Sequence, residues 1–422
     1  MRMKLNKSSQ LLLVCAASLL AAGVVTACST TTTDFVYVAS AKAAGANSYG
    51  EIDVFEINSV SGFMRQIITS PFPSGGRNPV AEAVSADNLN LYVVNQDDNT
   101  IVQFAIGPDG KIYPQNTVNT PGIFPLAAAV SGSNLFVVDT FQPLPSCSNA
   151  DPCSGSVAVF PILPASGTGS NATPGGAPGT PVTNTSTGAD YWPLTLPGSP
   201  ADVIVPTAIN VLSSGAYLYV AAYDSSVTPN VGYVFGFSVG SGGTLTPLNG
   251  GVPHDMGVGD RGLGIRPSAI ASDSTSSYVY VTDSTNGIVV SYSIPSGILT
   301  KISDTPTGNQ PSAIVADPKY PYVYVANALD GTVEAYSISS SGSLELLGGS
   351  ATPVTYAAGI QPVAIGIDPS TDHFLFTVNF LGSNISDFEL DTSTGTLVNA
   401  QHSPYVSNAE PTAVVAIPHK AS

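Results

Sequence analysis

The sequence predicts an all-β fold, a seven-bladed β-propeller closed by pairing of its C-terminal strand with its N-terminal blade, and three observations carry that prediction. A Pro-x-Ala step recurs seven times, at Pro79/Ala81, Pro125/Ala127, Pro206/Ala208, Pro267/Ala269, Pro311/Ala313, Pro362/Ala364 and Pro411/Ala413. An aromatic residue stands fifth in the third strand of each unit: Phe55, Phe104, Phe160, Phe237, Tyr292, Tyr336 and Phe388. The chain also opens on a second-strand segment, Phe35 to Ala39, and closes on a Pro-x-Ala strand, Pro411 to Ile417, with nothing after it. Each end supplies what the other lacks, so the ring closes without an open sheet edge.

The clearest copy of the unit runs from Pro311 to Ile338 and holds three short apolar segments separated by the turn pairs Asp317-Pro318 and Asp330-Gly331. Such segments read as strands. Tyr and Val occupy both faces of the middle segment, Tyr322 to Val325, as suits a sheet packed between two neighbouring sheets. Successive prolines lie 46, 81, 61, 44, 51 and 49 residues apart, about the ~40 to 50 residues of a four-stranded blade with insertions in two.

Residues 1–27 have the form of a secretory signal peptide: Arg2, Lys4 and Lys7 precede an apolar run from Leu11 to Val25. The run is shorter than the ~20 residues of a spanning helix. Val25-Thr26-Ala27-Cys28 resembles the bacterial lipobox, which implies lipidation at Cys28, with Ser29 directing the protein to the outer membrane. Residues 28–33 are then a tether, and residues 34–418 are the propeller. The expected setting is the cell envelope, on the periplasmic side of the outer membrane or at the cell surface.

Removing the leader's three cations leaves nine Lys and Arg against 29 Asp and Glu, a formal charge of −20. A surface of that sign repels nucleic acid, so no nucleic-acid partner is expected. The membrane, through the lipid anchor, and a small-molecule, glycan or protein ligand are the expected partners of a monomer.

In blade two, Asp97-Asp98-Asn99 lacks the spacing and glycine of a calcium loop and reads as a turn. Blade three carries Cys147 and Cys153, six residues apart, which predict a disulfide in an exported protein. Residues 164–200, rich in Gly, Pro, Thr and Ser, read as a disordered, mobile insertion, with Trp192 pinning its end to the ring. No metal ligand set and no cofactor motif is expected: there is no glycine-rich phosphate loop, G-x-S-x-G or H-E-x-x-H. A single Trp argues against a quinone-dependent propeller.

Tyr280-Val-Thr-Asp283, Tyr324-Val-Ala-Asn327 and Phe376-Thr-Val-Asn379 resemble the signature of the YVTN propellers. Together with the Pro-x-Ala steps they make the chain similar to the bacterial seven-bladed lactonase propellers. That group includes a 6-phosphogluconolactonase and relatives of muconate cycloisomerising enzymes. The resemblance implies fold more strongly than activity, because the repeated residues are those that build blades. The lactonase would place His, Arg and acidic residues on the loops entering the first strands. Here the residues before the repeat prolines are Asn78, Phe124, Val205, Arg266, Gln310, Gln361 and Glu410, and none is His.

Two functions of different class follow. The main reading is an envelope-anchored binding or scaffolding module; the alternative is a hydrolase acting on a lactone or ester at the mouth of the central channel. In a blade, the link into the first strand emerges on the same face as the hairpin between the second and third strands. That face is expected to hold Arg77, Arg261 and Arg266 as ligand-binding cations. His254 and His402 are the candidate general bases.

Overall fold

The computed structural model describes residues 32–419 apart from 45–46, 59–60, 149, 167–174, 260–261, 348–351 and 372. The described chain forms seven antiparallel sheets, each running outward in chain order from a Pro-x-Ala strand. Blade one is the exception. Its innermost strand is Pro411–Pro418, which pairs antiparallel with Thr32–Ala44 from Asp34 opposite Pro418 to Ser40 opposite Pro411. The ring therefore closes with the register that the complementary ends require.

The core is divided among the seven interfaces between neighbouring sheets. Phe35, Tyr37 and Val54 of blade one, for example, pack on Leu91, Val93 and Phe104 of blade two. The aromatic residue of every third strand is buried in one of these wedges. Both faces of the second strands are buried, which is why they read as continuous apolar runs rather than alternating ones.

Blade three corrects the expectation of a mobile insertion over 164–200. Trp192–Pro193 pairs with Val157 and Ser156 as the outer strand, and Trp192 and Leu194 join the core shared with blade four. Backbone bonds from Val182 to Val159 and from Leu194 to Gly155 hold the flanking segments. Composition misled here because a few apolar anchors, not average polarity, decide whether a loop is tied down. Residues 167–174 of that stretch lie outside the described residues, as do Cys28 and the segment expected to be a signal peptide. Cys147 and Cys153 form the expected disulfide, with Cα atoms 5.5 Å apart.

Candidate functional site

The Pro-x-Ala step is a β-bulge. In all seven blades the pairing of first and second strands slips by one residue between the Pro and the Ala. A bulge at a rim re-aims the side chain it frees. The freed hydroxyls of Ser268, Ser312 and Thr412 each donate to the carbonyl of the next blade's proline, Pro311, Pro362 and Pro79, at 2.6, 2.6 and 2.7 Å. These bonds tie the mouth of the channel from blade to blade.

The residue before the proline is left-handed in five blades: Asn78, Phe124, Gln310, Gln361 and Glu410 have φ between 53° and 61°. A non-glycine residue held there costs about 1–2 kcal/mol. The hairpin between the second and third strands supplies compensation. Backbone N–H groups of Gln96, Ala328, Phe380 and Ala41 donate to the carbonyls of Asn78, Gln310, Gln361 and Glu410 at 2.8–2.9 Å. Sequence reading located these positions but not their conformation, because proline-preceding residues ordinarily favour extended backbone.

Arg266 fills the same position at blade five without the left-handed turn. Its guanidinium lies 4.7 Å above the ring of Tyr223 and donates to the Tyr223 hydroxyl at 3.0 Å. Its backbone N–H donates to Asp283, at the end of the adjacent second strand, at 3.1 Å. No carboxylate pairs with the guanidinium among the described residues. Arg266 borders a cavity of about 820 Å³ at the channel mouth over blades five to seven, with Ser268, Asn286, Asn309, Gln310 and Leu329 among the lining residues.

The other expected site residues do not gather there. Arg77 is bound to Asp98 through both its backbone and side chain, a bridge between the link and hairpin of blade two. That pairing also accounts for Asp98 in the acidic turn. Arg261 lies outside the described residues. His254 stands edge-on to Tyr292, 4.8 Å between centroids, in a groove between blades four and five that also holds Lys301 and Asp304. Burial holds its imidazole below the ordinary value, against the opposing pull of Asp255. His402 rests edge-on against Phe63 of blade one at 5.4 Å.

The histidines sit on the outer wall because the fourth strand of these blades is split. In blade four the pieces are Leu245–Pro247 and His254–Gly257, and in blade seven Leu397–Asn399 and Tyr405–Val406. Links that look alike in sequence thus begin with a second stretch of strand, and the histidines belong to it or precede it. Asn286 lines both the His254 groove and the mouth cavity.

These elements define a seven-bladed β-propeller with a polar cavity beside Arg266 at its mouth. Residues 234–355 match the model of a family described as lactonase, seven-bladed β-propeller, and the chain is similar to those lactonase propellers. A proposed 6-phosphogluconolactonase from Bacteroides fragilis superposes with a TM-score of 0.63 over 92% of this chain and 99% of its own, at 18% identity. The periplasmic gluconolactonase PpgL of Pseudomonas aeruginosa gives 0.62 over 92% and 99%, at 17% identity. A protein from Lactobacillus plantarum gives 0.63 over 91% and 99%, at 16% identity. Likeness at such identity establishes the fold. No curated protein matches the chain in sequence.

Proposed function

We propose that the channel mouth over blades five to seven binds a lactone or its ring-opened hydroxy acid, and that the protein is an envelope-anchored lactone hydrolase. The observation that carries this reading is Arg266, a cation with no carboxylate partner among the described residues, beside a cavity whose other polar groups are hydroxyls and amides. The likeness to lactonase propellers supports the substrate class.

In this reading, water adds to the lactone carbonyl carbon and the ring C–O bond breaks. The departing alkoxide takes a proton, giving the hydroxy acid. Arg266 and the side-chain amides of Asn309 and Gln310 would stabilise the oxyanion as it develops. A phosphorylated sugar is a poor fit, because Arg266 is the one cation among the residues lining the cavity.

One observation favours the binding-module reading instead: the described lining residues include no carboxylate and no histidine. The two readings separate on δ-valerolactone. Hydrolysis by the wild-type protein that falls about 100-fold in kcat/KM for Arg266→Met supports the enzyme, by analogy with loss of one oxyanion donor. Arg266-dependent binding of 5-hydroxypentanoate without turnover supports the binding module. The anchor at Cys28 would hold either activity at the envelope.

A further inference from the structure

We infer that the ligand of the mouth cavity carries an aliphatic chain; this deepens the lactone reading above and rests on it. The cavity lining is of two chemical kinds. Arg266, Ser284, Thr285 and Asn286, from blade five, line one part of it, while Leu329 of blade six, 67% exposed, lines another, its N–H donating to the carbonyl of Asn309 at 3.3 Å.

Two further exposed aliphatic residues stand on backbone segments next to that of Leu329. Two residues on, Gly331 lies so close to the carbonyl of Gly359 that a Cβ there would stand 2.8 Å from its oxygen. The next residue is Ile360, 65% exposed, whose carbonyl accepts the N–H of Gly382 at 3.1 Å. That bond sets Leu381, also 65% exposed, alongside. The backbone segments that bear three large, exposed aliphatic residues thus adjoin across two blades, an aliphatic strip that starts at the cavity-lining Leu329.

A bare sugar lactone presents hydroxyls on all sides and would leave this strip wet. A lactone with an alkyl substituent matches both kinds: its carbonyl or, after ring opening, its carboxylate meets Arg266, and its chain covers Leu329, Ile360 and Leu381. Each methylene that leaves water against such a strip raises affinity by about two- to fourfold.

The test compares δ-valerolactone with δ-decalactone, which has the same ring bearing a pentyl chain, and 5-hydroxypentanoate with 5-hydroxydecanoate. We expect at least about tenfold higher kcat/KM for the decalactone and at least about tenfold tighter calorimetric binding of the longer acid. Leu329→Asn and Leu381→Asn should each lower these ratios toward one. Ile68→Asn, between the two pieces of blade one's split outer strand and fully exposed, should leave them unchanged. Thermal melts of the three variants report their folding. Equal values for short and long ligands, or ratios that survive both leucine changes, would overturn the inference while leaving the lactone reading intact. Failure of every lactone and hydroxy acid to bind would remove both.

Discussion

The hydroxyl of Tyr324, in the second strand of blade six, donates to the carbonyl of Gly395, in a turn of blade seven, at 3.1 Å. The same bond recurs from Tyr37 to Gly110, Tyr92 to Gly176 and Tyr219 to Gly297, each time from one blade to the next. All four glycines have positive φ, between 74° and 98°. The tyrosines of the repeated second strand thus act as latches as well as core, and their buried hydroxyls need the glycine carbonyls.

Removing one latch should destabilise the ring. Tyr324→Phe leaves the Gly395 carbonyl unpaired and should cost about 1–2 kcal/mol in urea unfolding. Gly395→Ala should cost more, because its φ is +74° and a Cβ would meet the Tyr322 ring at 2.5 Å. Tyr280 provides the control. Its buried hydroxyl has no partner among the described residues, so Tyr280→Phe should be neutral or stabilising. An equal loss for Tyr280→Phe and Tyr324→Phe would mean that the phenol ring's packing, not the latch, sets the cost.

The C-terminal strand should be indispensable. Ending the chain at Glu410 removes the inner strand of blade one and exposes the edge of Thr32–Ala44. Such a truncation is expected to lose its cooperative thermal transition. Thr412→Val is the milder test. It deletes the hydroxyl that donates to Pro79 and to Ala39 and should cost about 1 kcal/mol. A truncated protein that melts like the full chain would show that closure does not hold the ring.

Stability should fall between about pH 4 and pH 8. Burial, with a hydrogen bond and repulsion from Asp368, pushes the Asp34 carboxyl up to about 8. The two residues meet where blade seven adjoins the closing blade, and Ser370 donates to Asp34 there. Because the folded pKa lies above the unfolded one, the native state holds the proton more tightly. The associated stability is full below about pH 4 and is lost as pH rises through about 8. Burial also raises Glu82 to about 8 and Asp139 to about 7, and both act in the same direction. Asp34→Asn keeps a donor toward Asp368 and removes the ionisation. The difference in Tm between pH 5 and pH 8.5 should therefore shrink in this variant. An unchanged difference would assign the pH dependence to the other acids.

Replacing Cys28 by Ser should release the protein from membranes into the soluble envelope fraction. Fractionation of wild type and variant checks this. A wild-type protein already found in the soluble fraction would end the lipid-anchor proposal.

Blade number, ring closure and the disulfide were all legible in the sequence, because each depends on local chemistry repeated along the chain. Pro-x-Ala fixes a bulge, alternating Tyr and Val fix a two-sided strand, and Cys147 and Cys153 are too close in the chain to need tertiary guidance. The site was only partly legible. Arg266 could be placed at the mouth because it abuts a repeat proline, yet Arg77, at nearly the same position, is consumed by Asp98, and no spacing distinguishes the two. Tertiary structure alone decided that the histidines stand on the outer wall and that the segments bearing Leu329, Ile360 and Leu381 adjoin. A split fourth strand and a contact between two blades join residues whose separation in sequence carries no periodic signal. Local rules determine a repeated fold, whereas a site built once, across several repeats, depends on how the blades are set against one another.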